Sequence, residues 1–204
     1  MEALRLEKAK FLLSVPSVEL LPAGDMTEIA FFGRSNVGKS SLLNFLAGQK
    51  SLARVSKTPG RTRALNLFEA ELEKKKIWFL DLPGHGYAKL SLTERDTLSD
   101  LLSDYIEKRE QLNVMIHLLD CRRDPKEEDI EISRQFREHV PYYLVVMTKI
   151  DQLPLSKRKD MQKRFARILE ISSDQCFAVS SNEHLGREEL LMRISRIASQ
   201  PIVR

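Results

Sequence analysis

The sequence predicts an α/β fold: an open, mostly parallel six-stranded sheet with one antiparallel hairpin strand and helices on both faces. Three observations predict it. Apolar runs of strand length alternate with segments whose apolar residues recur at helical spacing. Polar, motif-like tetrads follow several of those runs. Finally, Gly33-Arg34-Ser35-Asn36-Val37-Gly38-Lys39-Ser40 fits the pattern Gly-x4-Gly-Lys-Ser at a point where a strand should hand over to a helix. Alternation of this kind builds a sheet covered on both sides, with ligands beyond the carboxyl ends of its strands.

The bulk numbers fit one domain. A chain of 204 residues with 42% hydrophobic content can bury a substantial core without a second domain. Lysine and arginine outnumber aspartate and glutamate by 33 to 29, and a pI near 9.1 is compatible with a polyanionic partner. Cys121 and Cys176 stand far apart without ligand spacing, which argues against a disulfide framework or a zinc site and for two packed thiols. No apolar run approaches membrane length, and Phe11-Leu12-Leu13 lacks the layout of a signal peptide, so a cytoplasmic protein is expected.

Each element has its own justification. Residues 1 to 28 mix charge with apolar pairs and end in Pro22, Gly24 and Asp25, which reads as an N-terminal extension packed on a domain spanning 29 to 204. Ile29-Ala30-Phe31-Phe32 is the first strand, and Ser41 to Leu46 continues a helix after the glycine-rich loop. Residues 48 to 64 lose apolar periodicity and form a long basic loop around Thr58-Pro59-Gly60-Arg61-Thr62. Leu65 to Leu72 alternates, and Ile77 to Leu80 makes the second arm of an antiparallel hairpin. A helical pattern begins near Thr93, a plausible N-cap, and runs through Tyr105 and Ile106. Val114 to Leu119 and Tyr142 to Met147 are buried strands separated by an amphipathic helix from Glu127 to Glu138. A basic helix over 156 to 170, a last strand from Cys176 to Val179 and a closing helix over 186 to 198 complete the pattern.

Four motifs that follow strands should converge in space. In the first, glycines let backbone N–H groups wrap a phosphate, Lys39 supplies a cation for the β and γ phosphates, and the Ser40 hydroxyl can reach Mg²⁺. In the second, Asp81-Leu82-Pro83-Gly84, Asp81 can hold Mg²⁺ through water and the Gly84 N–H can meet a γ-phosphate. In the third, Thr148-Lys149-Ile150-Asp151, the carboxylate can accept two hydrogen bonds from guanine while the lysine stem covers the base. The fourth, Val179-Ser180-Ser181, offers backbone N–H groups to guanine O6. Alone, Asp-x-x-Gly is a common turn, Thr-Lys-x-Asp is weak and Ser-Ser is loop composition.

Taken together, these motifs resemble the TRAFAC GTPases. The loop Ser56-Lys57-Thr58-Pro59-Gly60-Arg61-Thr62 and the run Asp81 to Ala88 narrow the resemblance to the EngB (YihA/YsxC) family, from about residue 10 to near the C-terminus. The resemblance implies a three-layer P-loop NTPase fold, a Ras-like G domain. It further implies a Mg²⁺-dependent GTPase that binds GTP and GDP, serves assembly of the large ribosomal subunit through rRNA and ribosomal proteins, and is associated with cell division and septation. Carried over by position, Lys39 and Ser40 match the phosphate and Mg²⁺ ligands, and Thr62 matches the switch threonine that completes the Mg²⁺ shell. Thr58 is the chemical rival of Thr62. Gly60, Arg61, Thr62, Arg63 and Ala64 fall nearest the nucleotide, with the second, third and fourth motifs taking the other contacts.

Two positions bear on how hydrolysis is triggered. Family members usually carry tyrosine after Asp-x-Pro-Gly, whereas this chain has His85, which either orients the attacking water or simply replaces an exposed tyrosine. Asn36 resembles the asparagine of K⁺-activated GTPases, though it can equally shape the loop only, with Arg61 or Arg63 supplying charge instead. Basic residues of the loop, and Lys157, Arg158, Lys159, Lys163, Arg164 and Arg167 on one helix, suit RNA phosphates or a solvated face. The expected protein is a monomer that works away from membranes. Its rival reading is a guanine-nucleotide-gated scaffold in septation for which hydrolysis is incidental.

Overall fold

The computed structural model describes residues 4–53, 64–84 and 92–200, apart from the side chains of Leu92, Glu94 and Arg95. Seven strands form one sheet: β1 (Leu6–Val15), β2 (Glu28–Gly33), β3 (Leu65–Leu72), β4 (Lys75–Asp81), β5 (Leu112–Asp120), β6 (Tyr142–Thr148) and β7 (Cys176–Ala178). Their spatial order is β1-β3-β4-β2-β5-β6-β7. Pairing is antiparallel from β1 to β4 and parallel from β4 onward. The helices are α1 (Lys39–Ala47), α2 (Leu92–Lys108), α3 (Glu127–His139), α4 (Leu155–Ile168) and α5 (Arg187–Ala198).

Both faces of the sheet are covered because its central strands are apolar throughout. Along β2, Ile29 and Phe31 enter one core with Leu43 and Leu46 of α1 and Leu190 and Ile194 of α5. Ala30 and Phe32 point the other way, to Tyr105 of α2, Phe136 of α3 and Phe165 of α4. A period of two with every position buried is what a parallel strand between two helix layers requires. Each such side chain contributes about 1.5–3 kcal/mol by burial, so the flanking helices are held mainly by these contacts.

The sheet has seven strands where the sequence predicts six, because the N-terminal stretch supplies an edge strand. Two bulges in β1, between Glu7 and Lys10 and between Phe11 and Leu13, break its alternation, and Lys8 takes a left-handed φ of 51°. Only Leu6 and Ala9 of that strand are fully buried. Backbone pairing with β3 and the packing of Phe11 on Phe68 hold the edge, and exposed pairs of Lys8 with Glu71 at 2.8 Å and Lys10 with Glu69 at 3.1 Å add charge to it. A second difference is at Thr93, which lies in the first turn of α2 and is not its cap.

A buried ion pair fastens the segment before β2. Glu28, fully buried, accepts hydrogen bonds from Arg109 Nη2 at 2.7 Å and Tyr105 Oη at 2.5 Å. Arg109 also donates to the Pro22 carbonyl at 2.9 Å and lies 5.4 Å from the centre of the Trp78 ring. Trp78 is therefore core packing, as its place in the hairpin suggests.

Candidate functional site

The loop after β2 owes its course to close approach. A Cβ on Gly33 would come within 2.7 Å of the Leu118 carbonyl oxygen on β5, so no side chain fits where β2 turns out of the sheet. Asn36 takes a left-handed φ of 60°, Val37 closes a turn on the Arg34 carbonyl, and Gly38 leads into α1 at Lys39. The loop thus ends on the N-terminus of a helix, whose first N–H groups have no partners within the helix.

Beneath the loop, Lys39 and Asp81 form a buried pair of opposite charge. Lys39 Nζ reaches the Gly33 carbonyl at 3.5 Å, and burial lowers its pKa while the Asp81 charge opposes that. Burial pushes the Asp81 carboxyl up to about 6, against the pull of Lys39. Asp81 Oδ1 is buried without a hydrogen-bond partner among the described residues. Gly84 completes the group. A Cβ there would lie 3.0 Å from Lys39 Nζ and 3.1 Å from the Ser35 nitrogen, so this backbone is pressed against the loop.

The third motif reaches the same place from β6. Thr148 Oγ1 donates to the Val37 carbonyl at 2.8 Å, and Lys149 Nζ donates to the Asn36 carbonyl at 3.1 Å. Lys149 also meets Asp120 Oδ2 at 2.8 Å, and Arg122 forks onto the same carboxylate at 2.8 and 2.7 Å. Partial burial opposes ionisation of Asp120, but the Arg122 and Lys149 bonds outweigh it and hold the carboxyl well below the usual range. Burial pushes the neighbouring Cys121 thiol up to about 11, so it stays protonated, with Sγ 3.1 Å from the Lys149 carbonyl.

Asp151 is organised from the fourth motif. Ser180 Oγ donates to its Oδ1 at 2.7 Å, while Gln152 and Asn182 amides donate to Oδ2 at 3.1 and 3.3 Å. The Ser180 bond is the main reason its pKa is lowered. A cavity of about 290 Å³ lies between these residues and the loop, lined by Val37, Thr148, Lys149, Asp151, Ser181 and Asn182 among others. The sequence assigns three backbone N–H groups here, but two are engaged: Val179 N–H bonds to Met147 and Ser180 N–H to Leu185. Of the three, Ser181 alone has no backbone hydrogen bond recorded among the described residues. Ile150 is buried and turns the chain, with its N–H on the Val179 carbonyl at 3.3 Å.

The glycine-rich loop, the segment Asp81 to Gly84, the tetrad Thr148 to Asp151 and the run Val179 to Ser181 are therefore gathered beyond one end of the parallel strands. Ala64 is half-buried just before β3. Gly60, Arg61, Thr62, Arg63 and His85 lie outside the described residues, as does Thr58. Sequence reasoning passed over Asp120 and Arg122, whose only signal was a carboxylate at the end of a strand. It also passed over Asn44 of α1, which holds the start of the basic segment by accepting from Ala53 N–H at 2.7 Å and donating to the Ala53 carbonyl at 2.9 Å.

Comparison with known proteins agrees with this geometry. The family model described as "50S ribosome-binding GTPase" matches residues 28–149. A Porphyromonas gingivalis protein named "Probable GTP-binding protein EngB" is 39% identical over 198 residues, 95% of this chain and 96% of the relative. A Clostridium kluyveri protein of the same name is 38% identical over 189 residues, 92% and 94% of the two chains. The crystal structure of a probable GTP-binding protein engB superposes with a TM-score of 0.66 at 24% identity, covering 84% of this chain and 98% of that one. Era from Aquifex aeolicus, solved with GDP and AlF4⁻, gives 0.67 at 24% identity, with 89% and 58% covered, and like the preceding structure it supports the fold alone. With a P-loop GTPase fold, these four motifs brought together and relatives matched over nearly their whole length, the chain belongs to the EngB family of GTP-binding proteins.

Proposed function

We propose that the chain is a Mg²⁺-dependent GTPase that binds GTP and GDP, hydrolyses GTP to GDP and phosphate, and acts in assembly of the large ribosomal subunit. The observation that carries the nucleotide reading is the double tie of Thr148 and Lys149 to the Val37 and Asn36 carbonyls, which joins a base-reading tetrad to a phosphate loop. In this reading the N–H groups from Gly33 to Gly38 cradle the phosphates, with Arg34 and Ser35 in the same loop, and Lys39 bridges the β and γ positions. Asp151, held by Ser180, accepts from guanine N1–H and N2–H₂, and Ser181 N–H meets O6. Adenine would leave the carboxylate unmatched.

The residues present fit a hard divalent cation. Asp81 Oδ1 is a buried carboxylate oxygen lacking a partner among the described residues, and the Ser40 hydroxyl stands one residue into α1. Ser40 and, by family pattern, Thr62 would bind Mg²⁺ directly and Asp81 through water. Held there, the ion would supply positive charge to the phosphates. Gly84, with Leu82 and Pro83 setting its course, would place its N–H at the γ-phosphate. His85 would orient the attacking water once a ribosomal particle closes the site, so turnover of the isolated monomer is slow.

Its partners would be rRNA and ribosomal proteins of large-subunit precursors, met in the cytoplasm, and normal division and septation would need it. Competition by GTP, ATP and XTP tests the nucleotide reading, since equal binding of GTP and ATP would end it. Co-sedimentation with large-subunit precursors under GTP and GDP tests the ribosomal reading. Pelleting that ignores the nucleotide would refute it.

A further inference from the structure

Lys149 is held in a conformation that it would not adopt unaided. Its backbone is left-handed, with φ 61° and ψ 33°, a region disfavoured for residues that carry a Cβ. Its side chain lies on the wall of the base cavity and is one-third exposed. A lysine at the mouth of an open cavity ordinarily extends its ammonium into water and carries the stem with it. A stem that is to cover a base must be restrained at its charged end.

The restraint comes from the end of β5. Asp120 Oδ2 accepts from Lys149 Nζ at 2.8 Å, closer than the Asn36 carbonyl at 3.1 Å. The next residue grips the backbone around Lys149: the Cys121 thiol donates to the Lys149 carbonyl at 3.1 Å, and the Cys121 N–H donates to the Thr148 carbonyl at 3.2 Å. Arg122 steadies Asp120 in turn. Its N–H donates to Oδ1 at 3.1 Å, and its guanidinium takes both oxygens, so the carboxylate is fixed in orientation where it meets the ammonium. Three consecutive residues outside the four motifs therefore converge on one residue of the base-reading tetrad. Asp120 itself is not on the wall of the base cavity, so any effect it has on a ligand there passes through a neighbour.

We propose that Asp120 is a positioning residue for nucleotide binding: its carboxylate pins the Lys149 ammonium beside the phosphate loop, which keeps the lysine stem on the cavity wall as an apolar cover for a purine ring. On the guanine reading of that cavity, on which this role rests, the labour is divided. The cover acts on any purine, whereas Asp151 distinguishes guanine from other bases. Because the pair is partly exposed, its loss should weaken binding by about fivefold, the upper end for ion pairs open to water.

The test measures affinities of the full chain with Mg²⁺ for GDP, inosine diphosphate and inorganic pyrophosphate, by competition against a fluorescent GDP. Asp120→Ala should weaken GDP and inosine diphosphate equally, by about fivefold, and pyrophosphate, which has no base, by about twofold at most. Asp120→Asn leaves an acceptor for the Arg122 N–H and keeps the turn intact, yet removes the charge, and should weaken both nucleotides by about twofold. Lys149→Met removes the ammonium but keeps an apolar stem, and in that background neither Asp120 substitution should change GDP affinity further. A role confined to holding the turn would instead add its full effect in the Lys149→Met background. That additivity, an equal loss of pyrophosphate binding, or wild-type GDP affinity in Asp120→Ala overturns the proposal alone. A wild-type chain that binds no GDP, or one whose GDP affinity ignores Asp151→Asn, overturns the guanine reading and this role with it.

Discussion

The contribution of the buried Asp81 carboxyl to the stability of the ligand-free protein should fall as pH rises, and the effect can be isolated with one substitution. Asp81 is 5% exposed, and its pKa is raised by burial from 3.8 to about 6. A carboxyl that binds its proton more tightly folded than unfolded stabilises the fold below 3.8, and that contribution is lost as pH climbs through about 6. The gap is worth about 3 kcal/mol, at about 1.4 kcal/mol for each pH unit. Asp81→Asn is a neutral isostere of the protonated form and does not titrate. Urea unfolding at intervals from pH 3.5 to 7.5, with nucleotide and metal removed, should show equal stability of the two proteins near pH 3.5. By pH 7 the variant should lead by about 3 kcal/mol. Titrating groups not coupled to Asp81 cancel in the difference, and the Lys39 ammonium, which is coupled to it, stays protonated across this range. If Mg²⁺ is held as proposed, Mg²⁺ and GDP should reverse the order, because the ion would need the ionised oxygen. A difference that stays flat between pH 4 and 7 would refute the burial argument.

Further outcomes follow from the same geometry. Asp151→Asn should weaken GTP by about 100-fold and favour XTP, since two charge-assisted hydrogen bonds are lost, as competition binding will measure. Gly84→Ala puts a methyl group 3.0 Å from Lys39 Nζ and should cut GTP turnover far more than thermal stability, as parallel turnover and melting assays will show. Arg109→Ala leaves the fully buried Glu28 carboxylate without its charge partner and should cost about 3–5 kcal/mol in chemical denaturation. If Asn36 helps hold a monovalent cation, turnover should be faster in K⁺ than in Na⁺. If His85 orients water, His85→Ala should slow GTP hydrolysis with large-subunit particles present.

Much of this architecture is legible in the sequence wherever one local rule decides the outcome. Parallel strands such as Val114 to Leu119 must be apolar on both faces, so they stand out as continuous runs, and the glycine-rich loop is legible because its spacing is dictated by phosphate geometry. The edge strand β1 is not legible: bulges spoil its period, and its partners on β3 lie some sixty positions away. The same reason hides the Glu28 and Arg109 pair, which joins residues 81 apart. At the site, Asp151 is legible as a carboxylate in a tetrad, but its orientation by Ser180 and Asn182 depends on where β7 lies. That placement also explains why Ser180, read as a backbone donor, contributes its hydroxyl instead.

The sheet order carries a consequence for how the chain is made. β2 is synthesised before both strands that flank it, β4 to one side and β5 to the other, and Thr148 closes the phosphate loop from farther along still. A nascent chain therefore exposes Ile29 to Phe32 without parallel partners until residues 75–81 and 112–120 have left the tunnel. The cavity proposed for the base is not complete until Asp151 and Ser181 have emerged. At about 5–20 residues per second, several seconds separate the first half of the site from the second, an interval in which the unpaired central strand is open to misassociation.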